Sequence, residues 1–131
     1  MDRARILIVD DDPDITEAMK VVLESNGYSV DSAGDSEKAM ELVKSTKPDL
    51  IILDIMMNTL REGFLLSREL KSNPRYQHIP ILMISAAKEK IGIDFKPAAG
   101  DEDWLPVEDF LDKPVTPEVL LEKVSGLLRE S

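Results

Sequence analysis

The sequence predicts an α/β fold: a doubly wound, five-stranded parallel sheet with helices on both faces. Short, continuously apolar runs alternate along the chain with amphipathic helical patterns, and such runs describe strands covered on both faces. Parallel neighbours need crossover connections that are nearly always right-handed, so the intervening helices must cover both sides of an open twisted sheet. A length of 131 residues suits one hydrophobic core, since domains cluster near ~100–150 residues. A single domain over residues 1–131 is expected, with no output domain attached.

Arg5-Ile6-Leu7-Ile8-Val9 is the first apolar run, and it stops at Asp10-Asp11-Asp12. Asp12-Pro13 reads as a helix start, an N-capping acid followed by a proline where its missing N–H is harmless. Ile15, Ala18, Met19, Val22 and Leu23 then recur at helical spacing and end at Asn26-Gly27, a helix stop. The alternation repeats: Tyr28 to Ala33 as a strand, Ser36 to Lys44 as a helix carrying Ala39, Leu42 and Val43, and Leu50-Ile51-Ile52-Leu53 as a buried strand. Phe64 to Lys71 follows as a helix, Ile81 to Ile84 and Phe110-Leu111 as strands, and Pro117 to Arg129 as a closing helix with Val119, Leu120, Val124, Leu127 and Leu128. Lys88 to Val107 breaks the pattern. It holds Pro97, Pro106, Gly92, Gly100 and an Asp101-Glu102-Asp103 run before Trp104, so a regular helix is not expected there.

Composition excludes several classes of function. The chain has no cysteine and one histidine, His78, so neither a disulfide framework nor a Cys/His zinc site is available. A net charge of −10, from 16 basic and 26 acidic residues, repels phosphate backbones and anionic lipid, which argues against direct nucleic-acid or membrane binding. The longest apolar stretches fall far short of the ~18–20 residues of a membrane span. A cytoplasmic location is expected.

In an open parallel sheet, ligands bind outside the carboxyl ends of the strands. Asp10 and Asp11 end the first strand, Asp54 the third, Ser85 the fourth and Lys113 the fifth, so these polar groups should gather at one rim. Crowded carboxylates repel: two unit charges ~4 Å apart cost about 4 kcal/mol at an effective dielectric of 20. An oxygen-rich ligand set suits a hard cation such as Mg²⁺, which keeps waters and phosphoryl oxygens in its shell. Lys113 supplies a second positive charge. A carboxylate beside Mg²⁺, a hydroxyl and an ammonium can attack a phosphoryl group, and Asp54 is the natural nucleophile.

Four motifs in order, Ile6-Leu7-Ile8-Val9-Asp10-Asp11-Asp12-Pro13, Leu53-Asp54-Ile55-Met56-Met57, Met83-Ile84-Ser85-Ala86 and Phe110-Leu111-Asp112-Lys113-Pro114, resemble the receiver domain of bacterial two-component response regulators over nearly the whole chain. The resemblance implies a flavodoxin-like strand order of 2-1-3-4-5. It also implies Mg²⁺ held by Asp10, Asp11, Asp54 and the backbone carbonyl of Met56, and phosphate accepted by Asp54 from a sensor histidine kinase or a histidine phosphotransfer protein. Ser85 and Lys113 would bind phosphoryl oxygens, and the Lys113-Pro114 bond would be cis. Ser85 and Phe110 would form the switch that alters a surface for a downstream protein target. Phe110 lacks the hydroxyl of a tyrosine, so its signal must come from packing. A monomer or weak homodimer is expected.

Two departures bear on these expectations. Asn58 stands where the family usually places proline, and the loop to Gly63 is one residue longer than usual. The stretch from Ser85 to Lys113 is several residues longer than the family needs, with the excess around Trp104; this insert is expected to replace or remodel the family's helix between the fourth and fifth strands and to provide a partner-specific surface or a lid over Asp54. Each residue also has a plainer reading. Asp10-Asp11-Asp12 alone describes a solvated turn and helix cap, Met56 and Met57 pack, Trp104 covers apolar surface, and His78 is a surface side chain. Two other functions compete with the phosphoacceptor switch. An Asp-nucleophile phosphohydrolase needs a second carboxylate two residues after the nucleophile, where Met56 stands. A phosphorylation-independent binding module would keep the fold and dispense with the chemistry.

Overall fold

Each apolar run forms a strand, and each amphipathic pattern a helix. The structure, a computed structural model, describes residues 3–55, 60–86, 92, 94 and 106–130, with the backbone alone at 60, 61 and 130. Met56, Met57, Asn58, Trp104 and most of the stretch from Lys88 to Val107 lie outside the described residues. The strands are β1 (Arg5–Val9), β2 (Ser29–Ala33), β3 (Leu50–Asp54), β4 (Ile81–Ser85) and β5 (Asp109–Asp112). The helices among the described residues are α1 (Pro13–Ser25), α2 (Ser36–Thr46), α3 (Leu60–Ser72) and α4 (Pro117–Glu130).

All strand pairings are parallel, in the order β2-β1-β3-β4-β5. The order reverses at β1, so the carboxyl ends of β1 and β3 flank the crevice where such sheets bind ligands. β3 and β4 are buried along their whole length, which is why they read as unbroken apolar runs. Leu7, Val9, Ile51, Leu53, Ile81, Met83 and Phe110 face one side, packed with Ala39 and Val43 of α2 and Leu66 and Leu70 of α3. Ile6, Ile8, Leu50, Ile52, Leu82 and Ile84 face the other, against Met19 and Leu23 of α1 and Leu120, Val124 and Leu127 of α4. Each such side chain stabilises the fold by about 1.5–3 kcal/mol when fully buried.

The helix ends follow their sequence signals. The Asp12 carboxylate accepts from the backbone N–H of Asp14 (2.9 Å) and Ile15 (3.3 Å), satisfying orphan donors at the start of α1. Gly27, at φ 91°, takes the left-handed turn that leads out of α1. Asp35 caps α2 through the N–H of Lys38 at 2.8 Å. At the other end of α2, Lys47 adopts φ 50°, and its N–H reaches the carbonyl of Val43.

The buried stripes differ from the sequence pattern at two positions: Ala18 and Val119 are exposed. They sit at the edge of their helical stripes, beyond the arc that reaches the sheet. α3 begins at Leu60 rather than at Phe64, and β5 includes the two flanking aspartates. Four short ties fix α3 and β5 at their far ends. Lys71 Nζ donates to the carbonyls of Gln77 (3.2 Å) and Ile79 (2.8 Å) and pairs with Glu108 at 2.8 Å, and Glu108 Oε1 accepts from the N–H of Ile81 at 2.8 Å.

Candidate functional site

Backbone bonds continue past the strand ends and set the rim. The N–H of Asp10 donates to the carbonyl of Ala33 (3.0 Å), that of Ile55 to Ile84 (3.1 Å), and that of Lys113 to Ser85 (2.7 Å). Residues just beyond β1, β3 and β5 are therefore held in one row against the last residues of β2 and β4, at the carboxyl ends of the strands.

Asp10 and Asp54 are buried, at 4% and 3% exposure, while Asp11 is exposed. A carboxylate oxygen from each of the three lies within 4.8 Å of the others. Asp10 is oriented from two sides: its Oδ1 accepts from the N–H of Asp12 at 2.9 Å, and its Oδ2 accepts from Lys113 Nζ at 2.9 Å. The first of these is the turn an aspartate makes with the backbone two residues on. Lys113 Nζ also reaches Asp54 Oδ2 at 3.2 Å. Burial opposes the charge on Lys113, but the hydrogen bond to Asp10 and the charges of Asp54 and Asp10 outweigh it, so its pKa is raised. The ammonium thus bridges the two buried carboxylates and offsets part of their repulsion.

Asp10, Asp11, Asp54 and Lys113 converge. Ser85 is fully buried at the end of β4, next to Ile84, the ladder partner of Asp54. Phe110 lies on β5 opposite Met83, buried in the core on the α2–α3 face. The Lys113-Pro114 peptide is cis. Met56 lies outside the described residues, and His78 is exposed, as expected of a surface side chain.

Two positioning features are not apparent from sequence pattern. A Cβ on Gly63 would stand 2.5 Å from the carbonyl oxygen of Ile55 and 2.6 Å from its Cα, so only glycine lets α3 approach the residue that follows Asp54. Glu62 Oε2 accepts from both the N–H (3.0 Å) and the hydroxyl (3.1 Å) of Ser36, pinning the start of α3 to the start of α2. The Glu62-Gly63 pair was the available signal, a polar residue and a glycine opening a helix with no other reason for glycine there.

Three carboxylates in a partly buried, nitrogen-poor cluster form a donor set for a hard divalent cation. The same rim brings the Asp54 carboxylate to the Lys113 ammonium, with Ser85 at the end of the neighbouring strand.

Comparison with known proteins gives the same picture. The model of the family described as "Response regulator receiver domain" matches residues 6–125. The response regulator MprA of Mycolicibacterium vanbaalenii is 38% identical over 131 residues, covering 97% of this chain and 51% of that protein. The chain thus spans about half the length of such curated relatives. A response regulator of Chloroflexus aurantiacus superposes with a TM-score of 0.84 at 29% identity, covering 98% of this chain and 99% of its own. The chemotaxis response regulator CheY4 of Vibrio cholerae gives a TM-score of 0.77 at 28% identity, over 96% and 99%. With its sheet order, its rim of carboxylates and a family match over most of its length, the chain belongs to the response regulator receiver domains.

Proposed function

We propose that the chain is a phosphoacceptor switch in which Asp54 takes a phosphoryl group from a phosphohistidine of a sensor kinase or phosphotransfer protein. The observation that carries this reading is the Lys113 ammonium bridging Asp10 and Asp54, with Asp11 in the same cluster. A carboxylate oxygen of Asp54 attacks phosphorus in line, the P–N bond to the donor imidazole breaks, and the imidazole leaves with the electron pair of that bond. Transfer of this kind needs positioning and charge neutralisation more than covalent assistance. Asp10, Asp11 and Asp54, with the carbonyl of Met56, would hold Mg²⁺, which when bound neutralises charge on the transferring oxygens. Lys113 would move from its carboxylate pair toward one phosphoryl oxygen, and the Ser85 hydroxyl would donate to another.

The readout would run through Ser85 and Phe110. Phe110 is buried on β5, on the same face as Met83 and Leu66, so a shift of Ser85 toward the phosphoryl group would repack this face and alter a surface for a downstream protein. The chain would then catalyse only its own phosphorylation and dephosphorylation. The sequence places Met56 two residues after Asp54, so the general acid that a hydrolase would need there is missing. Among the described residues no helix is long and apolar enough to cross a membrane.

The test is intact mass spectrometry of wild type and Asp54→Asn after incubation with Mg²⁺ and acetyl phosphate. A transient single-phosphoryl adduct on wild type alone is expected. Multiple turnover of a phosphate ester would instead indicate a hydrolase, and no adduct with any phosphodonor would indicate a binding module.

A further inference from the structure

At the end of the sheet opposite the carboxylate rim, a cavity of about 750 Å³ opens between the end of α2, the connection into β3 and the connection from α3 to β4. That size is within the ~300–1,000 Å³ of small-molecule sites. Lys44, Lys47 and Arg75 line it, with the His78 imidazole beside them. None of the ion pairs among the described residues involves these three cations. The acid in the lining, Asp49, already accepts from the backbone N–H of Arg5 at 2.8 Å. On a chain with 26 acidic and 16 basic residues, the local balance is reversed, and clustered unpaired cations favour an anion.

Two further observations point to a ligand of mixed character. The floor is apolar: Pro48 and Ile79 are buried, and the half-buried Tyr76 packs against the core. Lys47 holds φ 50°, the one non-glycine residue with positive φ among those described. A helix end of this kind favours glycine or asparagine, and strained residues of this sort gather at ligand clamps. We propose that this cavity binds a small phosphorylated ligand carrying a planar ring, of the nucleoside diphosphate class. The ring lies against Tyr76 and its apolar neighbours, and the phosphates meet Lys44, Lys47 and the fork of Arg75. This site shares no residue with the carboxylate rim.

The test is calorimetric titration of the full chain with ADP, adenosine and pyrophosphate in turn, in buffer free of divalent cations so that the rim takes no part. ADP is expected to bind, with affinity falling as salt is added, and each fragment to bind at least about tenfold more weakly. Lys47→Gln and Arg75→Gln, both at exposed positions, should each weaken ADP about tenfold while circular dichroism stays unchanged. Lys20→Gln on α1 should not. No ADP binding, pyrophosphate binding as tightly as ADP, or ADP affinity unchanged in both cavity variants would overturn the proposal.

Discussion

Replacing Lys113 by methionine removes the charge and keeps most of the volume. In the wild-type protein Nζ lies 2.9 Å from Asp10 and 3.2 Å from Asp54, with side-chain exposures of 11%, 0% and 4% for Lys113, Asp10 and Asp54. At an effective dielectric of 20, each contact is worth about 5 kcal/mol of gross attraction. Desolvation offsets most of that, and removing one member of a buried pair typically costs ~3–5 kcal/mol because the partner charge is left uncompensated. The two carboxylates then regain balance only by binding a proton or a cation. In EDTA, urea unfolding of Lys113→Met should therefore show a loss of about 3 kcal/mol, of which saturating Mg²⁺ recovers roughly half or more. Mg²⁺ should also bind the variant at least as tightly as wild type, because the ammonium no longer competes for Asp10 and Asp54. Equal losses with and without Mg²⁺, or weaker Mg²⁺ binding by the variant, would refute this reasoning.

Other substitutions probe the same rim. Gly63→Ala places a methyl group 2.5 Å from backbone that cannot turn aside; a loss of ~1–3 kcal/mol is expected, with slower phosphorylation of Asp54 by acetyl phosphate, and wild-type rates would remove Gly63 from its positioning role. Asp11→Ala removes an exposed acid from the cluster; a fluorescence or calorimetric titration should show weakened Mg²⁺ binding while urea stability holds or rises, and unchanged affinity would contradict its place as a ligand. The raised pKa of Lys113 sets a pH window. Its folded value lies above its unfolded one, so the stability it contributes is fully present below the unfolded lysine pKa and is lost as pH rises through the folded value. In EDTA, the stability difference between wild type and Lys113→Met should hold across neutral pH and shrink only in the strongly alkaline range; a decline beginning near neutrality would be inconsistent with the pairing.

Strands β1, β3 and β4 were readable because a strand buried on both faces allows only apolar residues, and the polar residue that ends each run marks the rim. That one regularity places Asp10, Asp54 and Ser85 without any tertiary information. β5 extends beyond its apolar pair Phe110-Leu111 because Asp109 and Asp112 are only partly buried and carry no apolar signal. The start of α3 leaves no helical pattern for a related reason: Arg61-Glu62-Gly63 has a polar pair and a poor helix former. Here the glycine is required by the backbone of Ile55, a contact that exists only once the helix docks. Ala18 and Val119 fit the helical period yet face solvent, because periodicity gives the centre of a stripe better than its width. The bridging geometry of Lys113 and the cationic cavity between α2 and β4 join residues far apart in the chain, so neither leaves a local pattern.

The most direct measurement is the location of the phosphoryl group after reaction with acetyl phosphate and Mg²⁺, by borohydride reduction of the acyl phosphate and peptide mapping. Conversion at Asp54 alone, abolished by EDTA and reduced in Lys113→Met, is the predicted result. Conversion at Asp10 or Asp11, or labelling of Asp54 that persists without Mg²⁺, would contradict the account.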